Sequence, residues 1–74
     1  MKITKGKYYQ GNITQVIVKA LKSTGGSGVF EGIVIVQGKS TDKVGSFSKN
    51  YIVSNFEEID YIEEKANNEF FPIY

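Results

Sequence analysis

A chain of 74 residues, 41% of them hydrophobic, is long enough for one small domain with a single core. It contains no cysteine and no histidine, which excludes disulfides, zinc–thiolate sites, a thiolate nucleophile and the usual general-base side chain. The net charge is only +1, but residues 1–50 hold eight lysines and two acids, whereas residues 51–74 hold six acids and one lysine.

The first predicted element is a short edge strand, Lys7-Tyr8-Tyr9-Gln10, which ends at Gly11-Asn12. Lysines commonly protect the edge of a sheet from unwanted pairing, and Lys2, Lys5 and Lys7 suit that role.

A β-hairpin is predicted between residues 13 and 37. Residues 13–22 alternate in hydrophobicity with a period of two, which favours a strand over a helix. The glycine-rich segment 23–28 has the composition of a turn, and residues 29–37 form the second strand. Both faces of this second strand are largely apolar toward its end, so we expect it to be central in the sheet.

A polar turn over residues 38–43 and a third strand over residues 44–49 follow. This strand would bury one aromatic side chain, Phe47. The turn contains Gly38-Lys39-Ser40-Thr41, but five residues separate Gly32 from Gly38 where a phosphate-binding loop needs four, so we interpret it as a simple connection.

Two alternatives stay open for the next segment. Asn55 can cap a helix with Glu58 as its reciprocal partner, or residues 57–62 can form the strand that closes a barrel, and we favour the strand. Residues 67–74 include Phe70 and Phe71, and we expect this tail to pack on the barrel; the alternative is a docking segment for a partner.

These elements predict an all-β fold in a single domain over residues 1–74, as a small five-stranded SH3-like barrel. The alternatives are an OB-like barrel, or a β-sheet with a short C-terminal helix. Ser54-Asn55-Phe56 resembles the segment that leads into the last strand of SH3 domains, where the Asn and the aromatic residue help to line a groove for proline-rich peptides. The SH3 groove tryptophan is missing, and Val53 replaces the proline before that segment.

A second resemblance, to uncharacterised small barrel proteins of gut bacteria and their phages, is based on Phe30-Glu31-Gly32-Ile33-Val34-Ile35 and Gly45-Ser46-Phe47-Ser48. It implies a barrel fold and carries no function with it.

The acids of residues 57–64 are interpreted as a solvated face, since a small barrel offers little cleft for paired carboxylates and the segment lacks a glycine-punctuated calcium loop. We therefore predict no catalytic residue, no metal and no cofactor.

The predicted function is a non-enzymatic binding module, an interaction or regulatory protein whose partner is another protein. The alternative is a single-stranded nucleic-acid binder, because lysines and tyrosines are interleaved along the chain. The candidate binding residues for a partner are Lys7, Tyr8, Tyr9, Lys49, Tyr51, Asn55, Phe56, Phe70 and Phe71.

No membrane partner is expected, because no run approaches the roughly 18 apolar residues that span a bilayer. No signal-peptide-like stretch follows the first lysines, so a cytoplasmic location is expected.

Overall fold

The computed structural model describes residues 1–45 and 47–61, which form a mainly β structure. Five strands, β1 (Tyr8–Gly11), β2 (Ile17–Ala20), β3 (Val29–Val36), β4 (Ser48–Ile52) and β5 (Phe56–Ile59), make one antiparallel sheet in the order β4-β3-β2-β1-β5. A single 3-10 turn, η1 (Val53–Asn55), joins β4 to β5. The predicted all-β class is therefore confirmed at this level.

The sheet does not close into a barrel. Strands β4 and β5 are its two ends, and within the described ranges no pairing joins them. The predicted tail at residues 67–74 lies outside the described residues.

The predicted hairpin is confirmed as β2 and β3, and β3 is central because it pairs with β2 on one side and β4 on the other. Its first strand is shorter than the predicted range of 13–22. Residues 12–14 form a turn instead, closed by the bond from the Gln15 amide to the Gly11 carbonyl at 3.0 Å, with Gln15 at a φ of 60°. Thr14 and Val16 share the alternation of the strand, so the sequence pattern by itself does not mark where the turn ends and β2 begins.

The prediction that β1 is an edge strand was wrong. Tyr8 pairs with Lys19 of β2 on one side and with Ile59 of β5 on the other, so β1 is internal. The sheet has an additional strand beyond β1 because the chain returns after η1 and adds β5 there.

The third predicted strand is displaced along the chain. Residues 44–49 were expected, whereas β4 comprises Ser48–Ile52 and places Tyr51 opposite Phe30. Phe47 is 82% exposed and Tyr51 is buried, so the prediction of Phe47 as the buried aromatic was wrong. Period-two alternation runs through the whole segment, and only pairing with β3 selects the register that buries an aromatic ring.

The ambiguity after Asn55 is resolved in favour of a strand. Residues Phe56–Ile59 form β5, which pairs with β1, so the alternative of a helix capped by Asn55 is wrong. Pairing with β1 supplies backbone hydrogen bonds to this segment. A helix would instead need an apolar stripe along one face to bury against the core.

The core lies on one face of the sheet and includes a residue from the N-terminal segment. Ile3 is fully buried, and it reaches the core because it forms a bridge with Thr24 in the β2–β3 connection. The buried cluster comprises Ile3, Tyr9, Val16, Val18, Ala20, Phe30, Val34, Tyr51 and Val53, with Phe56 packed against it. The described part of the chain contains no helix long and apolar enough to cross a membrane.

Candidate functional site

An open groove of about 360 Å³ lies between the β1–β2 turn, the β3–β4 connection, β4 and η1, and we call this surface the groove. It is lined by Gly11, Asn12, Ile13, Thr14, Val16, Ser40, Asp42, Lys49, Asn50, Tyr51, Ile52, Asn55 and Phe56.

Two backbone hydrogen bonds position the walls of the groove. The Asn12 amide donates to the Asn55 carbonyl at 2.9 Å, which joins the β1–β2 turn to η1. The Lys39 amide donates to the Thr14 carbonyl at 2.5 Å, which joins the β3–β4 connection to the same turn. The groove is therefore assembled around the β1–β2 turn, the segment that the sequence pattern predicted as strand.

Aromatic rings support the floor of the groove. Phe56 makes edge contacts with Phe30 and with Tyr51, in both cases at 5.3 Å between ring centroids. Phe30 in turn packs against Tyr9 at 5.5 Å. Because Phe30 and Tyr9 are fully buried, the floor is anchored directly to the core and is not a loose surface feature.

Asp42 is the centre of a small polar cluster at one wall. It accepts hydrogen bonds from Lys49 Nζ at 3.0 Å and from the Tyr51 hydroxyl at 3.3 Å. Lys49 Nζ also lies 5.8 Å from the centroid of the Tyr51 ring. Burial of the Tyr51 phenol, together with the adjacent Asp42 charge and the hydrogen bond to it, raises the pKa of Tyr51 to about 12.

This pairing makes the groove nearly neutral. Asp42 is the one carboxylate among its lining residues and Lys49 the one cation, and they neutralise each other at 3.0 Å. Within residues 1–45 and 47–61 no group of three acidic side chains is close enough to hold a metal ion.

Amide side chains and exposed isoleucines form the rim. Asn12, Asn50 and Asn55 are exposed at the groove, and each amide side chain carries both donors and an acceptor that a ligand can meet. Ile13 is 84% exposed and Ile52 is 53% exposed. An apolar surface bordered by exposed amides suits binding through van der Waals contact and neutral hydrogen bonds.

The structure brings together four of the candidate binding residues. Lys49, Tyr51, Asn55 and Phe56 all line the groove. Tyr51 is nevertheless buried, while Lys49 and Asn55 are exposed.

The N-terminal candidates lie elsewhere. Tyr9 is fully buried, and its hydroxyl accepts a hydrogen bond from the Thr4 amide at 2.8 Å, so its ring has no surface to offer a ligand. Tyr8 is half-buried against Tyr61 at 5.3 Å between centroids, and Lys7 precedes it at the surface. Phe70 and Phe71 lie outside the described residues.

Sequence reasoning missed Asn12, Ile13, Asn50 and Ile52 as groove residues. Ile13 was assigned to a strand, although the turn-forming pair Gly11-Asn12 immediately before it was a signal for a turn. For Asn50 and Ile52 no local signal exists, because their position depends on the register of β4 against β3.

Comparison with known proteins gives no relative. No protein-family model, no curated protein and no solved structure matches the chain. The groove therefore has to be interpreted from its own chemistry.

Proposed function

We propose that this chain is a non-enzymatic interaction or regulatory module that binds an extended segment of another protein in the groove. The observation that carries the proposal is the combination of an aromatic floor fixed to the core with exposed isoleucines and asparagine amides at the rim. Amide side chains can donate to and accept from the main chain of an extended peptide, while the apolar surface receives its side chains.

The SH3-like likeness of Ser54-Asn55-Phe56 agrees with this proposal, because Asn55 and Phe56 both line the groove. We propose the SH3-like fold together with this function.

The test is an immobilised array of random capped hexapeptides probed with the full chain and with two matched variants. Ile13→Ser removes an exposed apolar side chain of the rim and should weaken binding of the selected peptides at least about tenfold, the equivalent of one lost apolar contact. Val44→Ser is the control, since Val44 is also more than half exposed but does not line the groove.

Failure to select any peptide, or equal losses in the two variants, would contradict the proposal. Circular dichroism of both variants checks that the fold is unchanged, which is expected because both side chains are at the surface.

A second candidate is the binding of single-stranded nucleic acid on the Tyr8 side of the sheet. Lys19 Nζ lies 5.9 Å from the centroid of the Tyr8 ring, and Lys7 is exposed beside it, which combines charge with an aromatic surface. Retention on single-stranded DNA that weakens as salt rises, and that Ile13→Ser leaves unchanged, would favour this candidate over the groove.

A further inference from the structure

Strand β4 is one of the two end strands of the described sheet. This strand pairs with β3 through Phe30–Tyr51 and Gly32–Lys49, and no strand within residues 1–45 and 47–61 pairs with its other side. The Val53 amide donates to the Gly28 carbonyl at 2.9 Å, which continues the same register beyond the strand. Because hydrogen-bonded and non-hydrogen-bonded pairs alternate in an antiparallel ladder, Tyr51 and Lys49 point their backbone groups toward β3.

It follows that Ser48, Asn50 and Ile52 direct their backbone N–H and C=O groups away from β3, toward the open edge. These residues can form a ladder with another strand, with Asn50 at its centre.

The surface around this edge is apolar. Ile52 lies opposite Val29 on β3, and each is 53% exposed. Phe47, immediately before β4, is 82% exposed, and Val44 in the preceding connection is also more than half exposed. Exposed apolar side chains beside an open strand edge are the usual mark of an association surface.

We propose that two copies of this chain associate through β4, with the two strands antiparallel about a two-fold axis at Asn50. This register places Asn50 opposite Asn50, Ser48 opposite Ile52, and Lys49 opposite Tyr51 of the other copy. No two like charges face each other, and Lys49 already lies over a Tyr51 ring within one copy.

The outer edge of β5, the other end strand of the sheet, is less suitable for pairing two copies than the edge of β4. On β5 the Asn12 amide bonds to the Asn55 carbonyl, so by the same alternation Phe56 and Glu58 face outward. Two β5 strands paired about an axis at Glu58 would place Glu58 directly opposite Glu58, and like charges at that position are destabilising.

The first test is the mass of the full chain in solution by sedimentation equilibrium. We expect a dimer of twice the 8.3 kDa chain mass, and we expect Ile52→Glu to weaken dimerisation at least about tenfold by placing a charge in the apolar contact. Ile13→Glu is the matched control, because Ile13 is more exposed than Ile52 and also lines the groove, but belongs to the β1–β2 turn and not to the β4 strand. It should leave the dimer unchanged.

The second test uses the absence of cysteine in the chain. Directly opposed hydrogen-bonded residues of antiparallel strands have Cα atoms about 5.5 Å apart, within the range that a disulfide spans. Asn50→Cys should therefore form a disulfide-linked dimer on mild oxidation, whereas Glu58→Cys should remain largely monomeric under the same conditions.

A chain that stays monomeric at its highest soluble concentration, equal cross-linking of the two cysteine variants, or masses that grow beyond the dimer would each overturn the proposal. Growth beyond the dimer would indicate pairing of β4 with β5 of the next copy. The groove and the β4 edge share Asn50 and Ile52, so a bound peptide and a second copy would compete for these residues. The two proposals can still fail separately, because Ile13→Ser tests only peptide binding and the cysteine cross-links test only dimerisation.

Discussion

The Tyr51 hydroxyl connects the core to the wall of the groove. Its ring packs between Phe30 and Phe56, and its hydroxyl donates to Asp42, which is also held by Lys49. A phenolate at this position would lose hydration and would face the Asp42 carboxylate. The neutral phenol is therefore the form that the folded chain stabilises.

This arrangement predicts a specific alkaline behaviour. Because the pKa of Tyr51 is about 12 in the folded chain and 10.0 as its ordinary value, its contribution to stability is complete below pH 10 and is lost as the pH rises through 12. Ultraviolet titration should show one tyrosine that ionises near pH 12, and this step should be absent in Tyr51→Phe.

Denaturant unfolding of wild type and of Tyr51→Phe, measured at a series of pH values, provides the control. All other ionisable groups are common to both proteins, so the difference between wild type and Tyr51→Phe isolates the phenol. A difference in unfolding free energy that stays constant from pH 8 to above pH 11 would contradict this account of Tyr51.

At the scale of elements, the position of the β3–β4 connection depends on Gly38. It has a φ of +59°, and a Cβ at this position would lie 2.6 Å from the Thr14 carbonyl oxygen and from the Gln15 backbone. The connection can approach the β1–β2 turn this closely, and bond to it through the Lys39 amide, only because no side chain intervenes.

We therefore expect Gly38→Ala to lower the unfolding free energy by more than about 2 kcal/mol, since it combines a left-handed backbone with a backbone clash. Gly45→Ala is the matched control: its φ is +67°, but nothing lies within 4 Å of the added Cβ, so it should cost only about 1 kcal/mol. Equal losses in chemical denaturation would show that the close approach at Gly38 has no energetic role.

At the scale of the whole molecule, the described residues have one core, with Phe30 at its centre. The Phe30 ring contacts Tyr9, Tyr51 and Phe56, which belong to three other strands. A domain of this size has a net stability of only a few kcal/mol, so no second cluster is expected to compensate for a defect here.

Phe30→Ala should cost about 3–5 kcal/mol and leave the chain largely unfolded at 25 °C, as measured by the loss of β-type circular dichroism. The matched change Phe47→Ala, at a ring that is 82% exposed, should change stability by less than about 0.5 kcal/mol. A cooperative transition that survives in Phe30→Ala would indicate a second core.

The sequence alone was sufficient for the mainly β class, the β2–β3 hairpin and the central position of β3. These features depend on local alternation, on β-branched residues and on the glycines between residues 23 and 28, and all of these act within a short stretch of chain. Asn55 and Phe56 were predicted as binding residues from the resemblance of Ser54-Asn55-Phe56 to the SH3 segment, and both residues line the groove.

Only the tertiary structure decided the register of β4, the internal position of β1, the turn at Ile13 and the open edges of the sheet. The alternation of the sequence is compatible with burial of either Phe47 or Tyr51. Pairing with β3 places Tyr51 opposite Phe30, and Tyr51 is therefore the ring that is buried. The β1–β2 turn is held by bonds to Lys39 and Asn55, residues distant in the sequence. Local pattern therefore specifies which segments are extended, whereas long-range pairing specifies which of their side chains are buried and which form the groove.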